Sequence, residues 1–88
     1  LHTMTRMLAL ELAPRIRVNA VAPGLILPPP GQDESYLEGL VDSVPLKRHG
    51  SAQDIVRAVL FLLHSDFVTG QVIYVDGGRN LKGSMYGA

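Results

Sequence analysis

The 88-residue chain contains no cysteine. Disulfides and thiolate chemistry are thereby excluded, and cysteine usage says nothing about the redox compartment. It also lacks a charge surplus, because eight Lys and Arg balance eight Asp and Glu, and the basic residues are scattered along the chain. No electrostatic footprint for nucleic acid results. The longest apolar runs fall far short of a membrane span, and no secretory leader is legible. A cytoplasmic protein with no nucleic-acid or membrane partner is expected. His2, His49 and His64 stand too far apart for a local metal motif, so no metal site is expected. A phosphate-cradling loop between a strand and a helix is missing too: Gly77 and Gly78 follow the last apolar run, and Gly83 and Gly87 lie near its end.

What is present is apolar for so small a body. The composition is 47% hydrophobic with a mean hydropathy of +0.18, and a short chain hides a lower fraction of its surface than a long one. The surplus is expected to face further chain or a partner subunit.

The run Arg17-Val18-Asn19-Ala20-Val21-Ala22-Pro23-Gly24-Leu25-Ile26 reads as a strand that enters a Pro-Gly turn and then an apolar loop. Pro23 cannot donate to a ladder, so pairing should stop about there. Gly24 permits a sharp turn and a close backbone approach to a flat ligand. Open α/β sheets place their ligands at such strand ends.

Around this run the order is helix, strand, loop with a short helix, helix, strand, tail. Met4, Met7, Leu8, Leu10, Glu11 and Leu12 form a helix-favouring stretch that opens without a cap, as from mid-helix. Leu37, Leu40, Val41 and Val44 share one face of a short helix between residues 31 and 44, weakened by Gly39. Asp33 and Glu34 precede it, where the helix dipole favours negative charge. Residues 51–64 make the clearest helix: Ser51 caps it, Asp54 adds first-turn charge and His64 stands at the far end. Its apolar residues spread beyond one stripe, which predicts burial on two sides. Val72-Ile73-Tyr74-Val75 reads as a strand covered on both faces and ended by Asp76-Gly77-Gly78. In the tail from Arg79 to Ala88, Gly83-Ser84-Met85-Tyr86-Gly87 is small and flexible enough for disorder or for a reach to a neighbouring subunit's site. Arg48 reads as structural, and Pro28-Pro29-Pro30 as a stiffened loop.

Four blocks occur in order: Leu8-Ala9-Leu10-Glu11-Leu12-Ala13 leading into residues 17–24, Pro45-Leu46-Lys47-Arg48 with Gly50, Thr69-Gly70-Gln71, and Val75-Asp76-Gly77-Gly78. Together they resemble the C-terminal part of a short-chain dehydrogenase/reductase. The resemblance implies an α/β fold, with residues 1–88 as the C-terminal portion of one Rossmann-type, doubly wound parallel-sheet domain. It further implies an NAD(P)-dependent oxidoreductase in which Pro23, Gly24, Leu25 and Ile26 border the nicotinamide and the Ile26 backbone bonds its carboxamide. Leu27 and Pro28 would then face substrate. Many members carry Thr where this chain has Pro28, so a Thr-mediated cofactor contact is not expected. The catalytic Tyr and Lys, four residues apart, are expected upstream of Leu1. No Tyr-x-x-x-Lys occurs within the chain, since Leu40 follows Tyr36 and Gly78 follows Tyr74 at that spacing, and Tyr86 is two residues from the end.

The Pro23 to Pro28 stretch, with Pro45-Leu46-Lys47-Arg48, Gly70-Gln71-Val72-Ile73 and Asp76-Gly77-Gly78-Arg79, is most similar to bacterial pteridine reductases and dihydrofolate-reducing relatives. An apolar loop suits a flat heteroaromatic substrate, because apolar walls bury its faces while a few polar groups orient it. NADPH is the cofactor implied, ahead of NAD, and a homotetramer through the 51–64 helix and the 72–76 strand is the implied assembly. Two other readings stand beside this one: a short-chain reductase of carbonyls or alcohols such as a 3-oxoacyl thioester, and a non-catalytic assembly piece if the 88 residues exist alone.

Overall fold

A computed structural model describes the backbone of residues 1–86 and the side chains of residues 1–82. Helix α1, His2–Leu12, stops at Ala13, which is extended at φ −66° and ψ 150°. Pro14 follows, and a residue before proline is driven out of the helical region. The small face of α1 is its inner one: Thr5 and Ala9 are buried, while Met4, Met7 and Leu10 are exposed.

Strand β1, Ala20–Pro23, runs parallel to β2, Val72–Val75, with Ala20 opposite Val72 and Pro23 opposite Val75. The ladder extends by one bond at each end, Ala20 N–H to the Gln71 carbonyl at 2.9 Å and Gly24 N–H to the Val75 carbonyl at 3.0 Å. Pairing thus ends beyond Pro23, where the sequence places its stop. It begins later than the β-compatible run suggests, because side chains take over at Val18 and Asn19. Val18 N–H donates to the Thr69 hydroxyl, and the Asn19 amide spans the Val68 carbonyl and the Gln71 N–H, all at 3.0 Å.

The connection between the strands carries helix α2, Glu34–Glu38, one 3₁₀ turn, Val41–Ser43, and helix α3, Ala52–His64. The single short helix expected between residues 31 and 44 is therefore broken in two. Gly39 ends α2, and tighter bonds take over, from Leu40 N–H to the Leu37 carbonyl and from Ser43 N–H to the Leu40 carbonyl. The apolar face survives the break, since Leu37 and Val44 are both fully buried. At α3 the Asp54 carboxylate closes the first turn: Ser51 N–H donates to Asp54 Oδ2 at 2.8 Å, and the Ser51 hydroxyl donates to the same oxygen at 3.3 Å. Its far end is satisfied from a distance. The Arg17 guanidinium donates to the carbonyls of Leu62 and Ser65 at 2.8 Å and of Leu63 at 3.3 Å.

One expectation is corrected. The segment after β2 is helix α4, Arg79–Tyr86, rather than a flexible tail, because Asp76 caps it: Oδ1 accepts from Gly78 N–H at 2.9 Å and Oδ2 from Asn80 N–H at 3.0 Å. Residues 87 and 88 lie outside the described residues. Within one copy of the chain, β2 and α3 each keep an exposed face. Tyr74 is 43% exposed and Leu63 63%, and among the described residues the buried apolar ones are Ala9, Leu37, Val44 and Leu62.

Candidate functional site

At the carboxyl ends of the two parallel strands, four segments converge: the loop 24–28, the turn 44–50, the first turn of α3 and the turn after β2. Gly24 is fixed by contact with the last of these. A Cβ at that position would stand 2.6 Å from Asp76 Cβ and 2.7 Å from Asp76 Cα, so only glycine lets β1 and the Asp76 turn meet. Gly24 thus lies tightly against the Asp76 turn of this chain.

Two clefts of about 320 Å³ each flank that contact. Pro23 and Gly24 line one of them, together with Tyr74, Asp76 and Arg79. Leu25 lines the other, with Val44, Leu46, Arg48, Asp54 and Gly77. Ile26 is half-buried against Gly50, while Leu27 is 79% exposed and Pro28 is half-buried, and these three line neither cleft. The six residues singled out from sequence are therefore continuous along the chain but do not line one cleft.

The backbone of this loop is unevenly bonded. The Leu25 carbonyl accepts from Gly50 N–H at 2.7 Å. Among the described residues, the N–H groups of Leu25, Ile26 and Leu27 meet no protein acceptor. Unpaired backbone donors at a strand's carboxyl end are what a polar ligand group requires.

Charge beside the loop is paired. Arg48 grips Asp54 at 3.2 and 3.3 Å, and Arg57 stands 3.5 Å from the same carboxylate. The Arg48 bond, then the Ser51 N–H, hold the Asp54 carboxyl down to about 2. Arg48 is itself raised by Asp54. Asp33, at the start of α2, is lowered by the Ser35 hydroxyl and then by the Ser35 N–H. His49 Nδ1 lies 2.8 Å from the Gly50 carbonyl and Nε2 lies 3.3 Å from Glu38 Oε1, so both ring nitrogens face acceptors. Among the described residues no three His, Asp or Glu side chains stand together as metal ligands, and no helix is long and apolar enough to cross a membrane.

Asp76 and Gly50 are the site residues that sequence reasoning missed. Asp76 stood in view as a turn residue, and its carboxylate was not read as the cap of a following helix. Gly50 stood in view beside Arg48, but its contact with Leu25 spans the fold and has no local signature.

A parallel pair joined through a helix, with an apolar loop and open backbone donors at its carboxyl end, defines an α/β protein of Rossmann type. Residues 1–80 match the family described as enoyl-(acyl carrier protein) reductase, and the chain belongs to the short-chain dehydrogenase/reductase family. It is 40% identical over 82 residues to the dihydromonapterin reductase of Klebsiella pneumoniae, covering 93% of this chain and 34% of that protein. It is 47% identical over 78 residues to the 3-oxoacyl-[acyl-carrier-protein] reductase of Bos taurus, covering 88% and 32%. Among solved structures, FolM alternative dihydrofolate reductase 1 from Brucella suis in complex with NADP aligns with a TM-score of 0.82 at 42% identity, over 91% of this chain and 32% of that one. The chain spans about a third of the length of these relatives.

Proposed function

We propose that these residues form the nicotinamide and substrate wall of an NADPH-dependent short-chain reductase acting on a pterin or dihydrofolate-type substrate. The observation that carries the reading is the loop after β1. It presents unpaired N–H groups at Leu25 to Leu27 beside apolar side chains, which suits a carboxamide held by backbone and a flat ring held by apolar contact. NADPH supplies the hydride when bound. The residues of this chain bind and orient: Pro23 and Gly24 border the nicotinamide, the Ile26 N–H holds its carboxamide, and Leu27 with Pro28 faces substrate. No Tyr-x-x-x-Lys lies within residues 1–88, so the proton is moved by groups outside them, and the 88 residues alone are expected to be inactive.

The partner is a second copy of the chain. The exposed apolar residues of α3, with Tyr74 of β2, are assigned to the interface of a homotetramer. A second substrate reading, reduction of a carbonyl such as a 3-oxoacyl thioester, is favoured by the 47% identity to the oxoacyl reductase. The full-length protein, supplied with NADPH, should reduce a dihydropterin or dihydrofolate. Turnover of a 3-oxoacyl thioester with none of either pterin substrate would replace the first reading with the second.

A further inference from the structure

The turn carrying Arg48, His49 and Gly50 lies outside the loop assigned to the cofactor, yet its bonds converge on that loop. Gly50 is occupied at both ends of its backbone: its N–H donates to the Leu25 carbonyl at 2.7 Å, and its carbonyl faces His49 Nδ1 at 2.8 Å. Its open side is filled as well. A Cβ there would overlap the Ile26 Cδ1 methyl and stand 3.3 Å from Asp54 Oδ2. The next residue, Ser51, is tied by its N–H to Asp54 Oδ2 at 2.8 Å, and Arg48 grips the same oxygen at 3.2 Å. Gly50 is therefore anchored to the first turn of a 13-residue helix, the kind of rigid element that holds a binding group in place.

The peptide joining Leu25 and Ile26 gives this anchorage its meaning. It is trans, and a planar trans peptide points its oxygen and its N–H in opposite directions. Fixing the oxygen fixes the direction of the N–H. We propose that Gly50 is a positioning residue which, by holding the Leu25 oxygen and filling the space beneath Ile26, aims the Ile26 N–H at the nicotinamide carboxamide. The proposal rests on the reading of the loop as the nicotinamide site. Gly50 acts through the peptide it holds.

The test compares two ligands of the full-length protein by titration: NADPH, and phospho-ADP-ribose, which is the dinucleotide without its nicotinamide. In Gly50→Ala the new methyl is crowded between the Ile26 Cδ1 methyl and the Asp54 Oδ2 that Arg48 and Ser51 hold, which strains the hold of Gly50 on the Leu25 oxygen, and affinity for NADPH should fall about tenfold while that for phospho-ADP-ribose stays within about twofold. Ile26→Val removes the methyl that the new Cβ would strike, so the double variant should return to within about threefold of the parent. If Gly50→Ala proves insoluble, Ile26→Ala empties the same contact from the other side and should show the same selective loss. Unchanged NADPH affinity in whichever single variant is measured overturns the proposal, as does an equal loss of both ligands. A parent protein that binds the two ligands equally well would instead remove the nicotinamide reading of the loop, and the positioning role with it.

Discussion

The carboxyl end of the strand pair and the outer faces of α1 and α3 are built in opposite ways. At the strand end, backbone meets backbone: Gly24 lies against Asp76, Gly50 holds Leu25, and Leu46 N–H reaches the Gly77 carbonyl at 3.1 Å. These contacts join segments far apart in sequence and leave little slack. On the helix faces, large side chains point away from the chain, with Met4 67%, Phe61 55% and Leu63 63% exposed. The chain exposes 6542 Å², against about 5,000 Å² for a compact monomer of its mass. The strand end is held by close backbone contacts, whereas the helix faces leave large apolar side chains exposed.

Neighbouring leucines on α3 give the strongest way to break this contrast. Leu62 is 8% exposed and Leu63 is 63% exposed. Leu62→Ala should cost roughly 2–4 kcal/mol in denaturant unfolding, the usual range for emptying a packed site. Leu63→Ala should cost less than about 0.5 kcal/mol where its face is bare, and approach the Leu62 value where a second copy covers it. Equal, small losses at both positions in the assembled protein would erase the distinction between inner and outer face.

At the strand end the corresponding probe adds atoms. Gly24→Val places a branched side chain where even a Cβ meets Asp76 at 2.6 Å, and overpacking a rigid contact should cost about 2–3 kcal/mol, read as a lower denaturant midpoint at constant slope. A third probe sharpens the outer face. Phe61→Lys sets a charge on the proposed interface, and sedimentation should show a smaller assembly with the fold of each copy retained.

Legibility in the sequence followed the same division. The α3 cap, the end of β1 at Pro23 and the span of β2 were readable because each depends on neighbours within a few residues. So was the position of the Pro-Gly turn at the strand's carboxyl end. The contact that requires Gly24 was not, because Asp76 lies 52 residues away and no local pattern links them. Arg17 likewise gives no hint in sequence that it satisfies the end of α3. The α4 helix was missed for a different reason. Asp76-Gly77-Gly78 has the composition of a turn, and the two glycines, at φ +65° and +90°, conceal that the aspartate bridges them to cap the helix beyond.

The smallest expected effect tests the clamp behind Gly50, through acid. Asp54 is held down to about 2 in the folded chain from an ordinary 3.8, first by Arg48. A carboxylate depressed on folding contributes stability that is full above its unfolded value and fades as pH falls through its folded value. Thermal unfolding of the parent should therefore exceed that of Asp54→Asn at about pH 6, with the gap closing between about pH 4 and pH 2. Arg48→Gln removes the leading cause of the depression, so its own decline in acid should begin at a higher pH than the parent's. A gap between parent and Asp54→Asn that stays constant down to about pH 2 would mean that the pairing seen beside Gly50 adds nothing to the fold. The rigidity of the strand end would then rest on its backbone contacts alone.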